Sequence, residues 1–272
     1  VRQFDPGVVI STSLGAYDLA YGQGPWIDLA RRADVVWTHA EVNRPMLEAL
    51  GVPSGLIHVR RRGIDLSRVP AKVPFVPGKL LCVARLVPEK GVELVLRAFR
   101  QIHDRYPATH LTVIGEGPER HRFEILAASL GIEAAVRFMG AVPHRSVMAE
   151  LAVTDVFLLL SHSPGERLPN VVKEAMACGC ICVLTTSPGI DELIGPLAHR
   201  LVVERGDWQN AAALVEAVLK NPESFQSDRD TGRSFILREF DADSVAAARM
   251  SLWRSLIERR SHSGKVNLEV ER

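Results

Sequence analysis

The 272-residue sequence has no surplus of either charge: 33 Lys and Arg stand against 32 Asp and Glu, a net charge of +1. This balance excludes the basic footprint of a dedicated nucleic-acid binder, which shows in such totals. Long apolar runs are also missing. The longest nearly apolar stretch, residues 175–184, is 10 residues long and contains Gly179, whereas a bilayer span takes about 20. Cysteine is scarce, at 4 residues, too few for a disulfide framework at this size, and a reducing compartment follows as the simpler expectation. No charged-then-apolar leader opens the chain, so a cytoplasmic location is expected, with a peripheral place at the membrane's cytoplasmic face left open. Internal repeats, G-x-G-x-x-G and G-x-x-x-x-G-K-[ST] are all absent, which sets aside solenoids, the dinucleotide fingerprint and the P-loop.

What remains is an ordinary globular composition, 47% hydrophobic and 24% charged. Apolar, β-rich runs over 80–84, 111–114, 135–138, 156–160, 181–184 and 201–203 alternate with helical patterns over 92–103, 119–130, 146–151, 169–177 and near Asp191. Several of the runs are continuous, as in strands covered by helices on both faces. Six strands with helical crossovers predict an α/β, doubly wound parallel sheet. Helical patterns over 208–220, 224–239 and 242–259 follow. Before the proline-rich stretch 69–78, strands at 8–10, 35–38 and 56–59 and helices at 25–32 and 41–50 form a smaller βα set, marginal as a core of its own. The chain begins at Val1 and reaches a strand within ten residues, so an upstream segment is expected to be missing.

A sheet of this type binds ligands outside the carboxyl ends of its strands, where the strand order reverses. That directs attention to the loops after the first and fourth strands. The first, Arg85-Leu86-Val87-Pro88-Glu89-Lys90-Gly91, puts two cations at the mouth of the sheet beside a helix start. A guanidinium, an ammonium and helix N-terminal amides together suit a diphosphate; a solvated loop is the bland alternative. The other loop runs from Ser161 to Pro169, with Pro169 expected as the first helical residue. Glu166 and Glu174, eight apart, could accept hydrogen bonds from sugar hydroxyls, although each alone reads equally as a surface or helix-terminal acid. Gly115 and Gly117 permit close backbone approach, either beside a planar base or within a tight strand-to-helix turn. Cys178, Cys180 and Cys182 lack a second pair at metal-site spacing and are read as small buried hydrophobes. The Arg60-Arg61-Arg62 run is read as a solvated rim, and Trp208 and Trp253 as packing anchors.

Taken together, these segments resemble the family 4 glycosyltransferases (glycosyl transferases group 1), retaining enzymes of the GT-B fold. Residues 83–91 (VARLVPEKG) resemble the family's GRLVPEKG, residues 113–118 its VIGEGP, and residues 136–140 its VxFxG. Residues 166–179 (ERLPNVVKEAMACG) resemble EGFPNVLLEAMACG, with both glutamates in place. Residues 33–37 and 59–65 resemble the end of the family's N-terminal domain.

The resemblance implies a partial N-terminal Rossmann-like domain over 1–77, a complete donor-binding Rossmann-like domain over 78–240, and a C-terminal helix and tail over 241–272 packing back on the N-terminal part. It assigns Arg85 and Lys90 to the donor diphosphate, together with the backbone of Leu168 and Pro169. Glu174 goes to the ribose hydroxyls and Glu166 to the transferred sugar as the catalytic carboxylate. Gly115, Gly117, Met139 and Gly140 fall on the nucleobase side. No cofactor and no metal are expected, because the leaving diphosphate itself helps to deprotonate the acceptor. The expected partners are a UDP or GDP sugar and a sugar, lipid-linked or small-molecule acceptor, with no nucleic acid; a missing N-terminal segment or a partner chain would complete the acceptor side. Departures are Leu14, where the family often has His, Arg61-Arg62 for Pro-Asn, Arg167 for Gly, Pro164-Gly165 inserted before Glu166, and Pro188 before Gly189. The expected activity is transfer of a hexose to an acceptor hydroxyl with retention. The alternatives are a non-catalytic nucleotide-sugar-binding module or half-enzyme, and a GT-B-type sugar-nucleotide epimerase.

Overall fold

The apolar runs are strands with both faces covered, which is why they show no alternation. The computed structural model describes residues 8–15, 18, 19, 24, 26–71, 78–163 and 165–270, with side chains to 260. Its contacts divide the chain into two units, residues 64–239 and residues 1–63 with 240–272. The division falls at 63/64, ahead of the proline-rich stretch, of which residues 72–77 lie outside the described residues.

In the unit that contains the chain's start, β1 (Ser11–Ser13), β2 (Val35–Thr38) and β3 (Ile57–Val59) form a parallel sheet in that order. The helices between them are α1 (Trp26–Arg32) and α2 (Arg44–Ala49). The first strand comes later than residues 8–10. Asp34 holds Ile10 just ahead of the ladder, its carboxylate accepting the Ile10 N–H at 2.8 Å while its own N–H donates to the Ile10 carbonyl at 2.8 Å. The helix expected over 41–50 is split into a 3₁₀ turn, Glu41–Asn43, and α2. Pro45, lacking an N–H, fits a first helical turn and not an interior. Leu14, 3% exposed, is a core side chain packed with Ala30, Val36, Leu47 and Ile57, so hydrophobic burial accounts for it. The C-terminal helix α11 (Ala242–Val270) belongs to this unit. Its Trp253 meets Trp37 edge to face at 6.1 Å and donates to Ser11 Oγ at 3.3 Å, while Arg260 pairs with Asp34. The Arg61 guanidinium lies 5.6 Å from the Phe240 ring centroid. No described helix is long and apolar enough to cross a membrane.

The larger unit holds β4 (Lys79–Val83), β5 (His110–Ile114), β6 (Val136–Gly140), β7 (Val156–Leu159), β8 (Ile181–Thr185) and β9 (Val202–Val203). All pair in parallel, in the order β6-β5-β4-β7-β8-β9, so the direction of winding reverses between β4 and β7. Leu80 on β4 stands beside Leu111 on β5 and Val156 on β7, and Val156 beside Ile181 on β8. Every residue of β7 and β8 is buried. The covering helices are α3 (Val92–Arg105), α4 (Arg120–Ser129), α5 (His144–Ala152), α6 (Asn170–Ala177), α7 (Ile190–Ile194), α8 (Ala198–Leu201), α9 (Trp208–Lys220) and α10 (Gln226–Glu239). On α3, Val92, Val95, Leu96, Phe99 and Ile102 are buried at helical spacing. One turn of helix, α8, is too short to show such a period, and the sequence does not reveal it.

Candidate functional site

The two loops at the reversal are joined into one structure. After β4, the Ala84 N–H donates to the Ile114 carbonyl at 3.0 Å and the Leu86 N–H to Glu116 at 2.8 Å, which anchors the loop on its neighbour across the sheet. A 3₁₀ turn, Pro88–Lys90, then leads through Gly91 into α3. After β7, Ser161 Oγ and the His162 N–H both donate to the Glu89 carbonyl at 3.0 Å. Gly91 sits at the crossing, with φ +68° and its α-carbon so close to the second loop that an added Cβ would lie 1.9 Å from the Leu160 carbonyl oxygen. Only glycine fits both constraints.

That join brings Lys90 and Glu166, 76 positions apart, into an ion pair with Nζ 2.5 Å from Oε2 and each side chain only 12% exposed. Arg85 stands on the same loop, 65% exposed and 3.8 Å from Glu89. An exposed guanidinium with one distant partner can turn to an incoming anion at little cost. Lys90 would have to exchange a partly dehydrated carboxylate for its ligand, which demands a ligand of comparable charge density.

Glu174 projects from the second turn of α6. Its Oε1 lies 3.0 Å from Nε2 of His144, the first residue of α5, a partnership not visible in the sequence because 30 positions separate the two. Ahead of α5, the β5–β6 register shifts: Val113 pairs with Phe138 and Ile114 with Gly140, leaving Met139 as the extra residue of a bulge. Met139, Gly140, His144 and Glu174 therefore all stand at the carboxyl edge of the sheet.

The packing accounts for two of the glycines and corrects the reading of Pro169. Gly115 and Gly117 owe their identity to the protein itself: an added Cβ would lie 1.8 Å from the Ala84 carbonyl oxygen at Gly115 and 2.3 Å from that of Leu86 at Gly117. They let the β5 loop pack under the β4 loop, and the tight-turn reading accounts for both. Pro169 is not the first helical residue; with ψ 131° it caps α6, its carbonyl accepting the Val172 N–H at 3.2 Å. Having no N–H, Pro169 also cannot donate to a phosphate, so of that pair only Leu168 has an amide N–H to offer. Leu168 itself is buried at 6% exposure.

The burial of two cations here, Arg167 and Lys173, gave no sequence signal. Arg167 is buried, donates to the Glu166 carbonyl at 3.1 Å, and has its guanidinium pKa lowered by burial and by nearby Arg205. Lys173 is fully buried, with Nζ bonded to Asn170 Oδ1 at 3.1 Å. Cys82, Cys178, Cys180 and Cys182 are buried free thiols. Burial pushes Cys178 up to about 12 and raises the other three as well. The folded chain should therefore resist iodoacetamide at pH 8 at all four positions and take up four equivalents after denaturation; rapid labelling of the native chain would refute this packing. Among the described residues, no group of three or more His, Cys, Asp or Glu could hold a metal ion.

A hollow of about 540 Å³ opens at the opposite, amino-terminal edge, lined by Lys79, His110 and Arg137, the last already paired with Glu150 at 2.8 Å. Topology, and not volume, selects the carboxyl edge as the candidate site.

Comparison with known proteins gives a consistent result. The sequence model of the glycosyl transferases group 1 family matches residues 71–234. A glycogen synthase of Mycobacterium tuberculosis is 32% identical over 224 residues, 81% of this chain and 54% of its own length. WcaL of Salmonella typhimurium, whose name ties it to colanic acid biosynthesis, is 29% identical over 236 residues, 84% of this chain and 58% of its own. The chain thus spans about half the length of the curated relatives it matches. Among solved structures, Anabaena HepE in complex with UDP and glucose superimposes with a TM-score of 0.78 at 18% identity, covering 93% of this chain and 73% of that one. Likeness at that identity bears on the fold, and the α/β, GT-B reading stands.

Proposed function

The chain belongs to the glycosyl transferases group 1 family, and on that premise we propose that it supplies the donor-binding half of a retaining hexosyltransferase that uses a UDP or GDP sugar. The observation that carries this reading is the Lys90–Glu166 pair, which sets a cation for the diphosphate directly against a carboxylate for the sugar at the reversal of the sheet. Arg85 and Lys90 bind the two phosphates, helped by the Leu168 amide. Glu174 accepts hydrogen bonds from the ribose hydroxyls. As Lys90 turns to the diphosphate, Glu166 is released to face the hexose.

In the reaction the bond from the sugar's anomeric carbon to the β-phosphate oxygen breaks, and its electron pair stays on the diphosphate. Arg85 and Lys90 stabilise that charge. The acceptor oxygen bonds to the same face of the anomeric carbon and passes its proton to the departing phosphate. Glu166 stabilises the positive charge on the sugar ring in between. Two side-chain cations supply the charge that a metal supplies elsewhere, so no metal is called for.

The test is calorimetry of UDP and GDP on the full chain together with donor turnover. Arg85→Ala should weaken binding of whichever nucleotide the chain takes by roughly tenfold, the loss of one charge-assisted hydrogen bond. Unchanged affinity in Arg85→Ala and Glu174→Gln alike would refute the site. Binding without any turnover would favour the module that needs a partner for its acceptor side, and an epimer formed without acceptor would favour the epimerase.

A further inference from the structure

We infer that His144 is a positioning residue for the nucleoside: its Nε2–H, 3.0 Å from Glu174 Oε1, holds that carboxylate in the orientation that accepts the ribose diol. The inference rests on the proposed reading of Glu174.

The direction of the bond is fixed by chemistry. An ionised carboxylate has no proton to give, so the imidazole nitrogen must be the donor. The bond occupies one carboxylate oxygen, and the other keeps its lone pairs for hydroxyl donors. A ribose offers two adjacent hydroxyls, and a glutamate free to rotate about its side chain would have to be frozen to receive them. That freezing costs part of the rotamer entropy of a long side chain, and a partner that fixes the carboxylate beforehand removes the cost from binding.

The surroundings suit this division of labour. Glu174 is 15% exposed and His144 46% exposed, so the acid lies inward and the imidazole stands over it from the solvent side. The two come from different helices, His144 from the start of α5 after the β6 bulge and Glu174 from the second turn of α6 after β7. An exposed ion pair by itself contributes little to stability. A positioning contact differs in a measurable way, because its value depends on the hydroxyls of the ligand.

The experiment is calorimetry on the full 272-residue chain with UDP and GDP and with their 2′,3′-dideoxy forms. With the nucleotide that binds, His144→Ala should lose roughly three- to tenfold in affinity, and His144→Gln, whose amide N–H can take the place of Nε2–H, should recover most of it. With the dideoxy form, parent and His144→Ala should bind equally weakly. An equal loss with both forms would mean that His144 acts only through structure, and the inference would be wrong. If Glu174→Gln loses affinity while His144→Ala does not, the inference fails and the reading of Glu174 survives. If neither variant loses affinity, both fail.

Discussion

Glu166→Gln is expected to lower donor turnover by about 10²–10³-fold while nucleoside diphosphate binds as tightly as to the parent chain, or more tightly. The reason is the pair at 2.5 Å. Without ligand, Glu166 neutralises Lys90 at a position where each side chain is only 12% exposed, so an incoming diphosphate must displace it. A neutral amide holds the ammonium less strongly and leaves it available. The same amide cannot stabilise the positive charge that develops on the sugar ring. Turnover should therefore fall with no loss of binding. Calorimetry and initial rates on the same preparation measure both; a parallel loss of the two would show that Glu166 does not compete with the ligand for Lys90.

Gly91→Ala should be strongly destabilising, costing roughly 2–5 kcal/mol. About 1–2 of this comes from forcing an L-residue into the left-handed region and about 1–3 from overpacking. The new Cβ would lie 1.9 Å from the Leu160 carbonyl oxygen, which belongs to backbone and cannot rotate away. Gly206→Ala is the control. Its φ of +85° carries the same conformational penalty, but nothing lies within 4 Å of the added Cβ. Thermal unfolding followed by calorimetry should place Gly91→Ala well below Gly206→Ala. At roughly 2–4 °C per kcal/mol, the two midpoints should differ by several degrees, and equal midpoints would show that the loops after β4 and β7 are not locked together as described.

Much of the larger unit is legible in its sequence. Six apolar runs separated by helical periods, with Arg85 and Lys90 after one and Glu166 after another, suffice to locate the reversal and the loops that serve it, because parallel strands buried on both faces leave a strong hydrophobic signature. What stays hidden depends on contacts between distant segments. The roles of Gly115 and Gly117 are set by carbonyls of residues 84 and 86, about thirty positions earlier, and a bare G-x-G carries no trace of them. The partner of Glu174 is likewise remote, and no periodicity marks a histidine at the start of α5. Leu14 reads only as a departure from the family's histidine until the core around it is seen. The Lys90–Glu166 pair falls between these cases: both residues are visible in the sequence as site candidates, but their direct contact follows only from the way Glu89 and Gly91 fasten one loop to the other.

The most direct test is a crystal structure of the chain soaked with the nucleoside diphosphate it binds. The account predicts phosphates between Arg85 and Lys90, with Glu166 turned away from the ammonium and the ribose against Glu174. A nucleotide lodged instead in the hollow beside Lys79, His110 and Arg137 at the far edge of the sheet, with the Lys90–Glu166 pair intact, would contradict it.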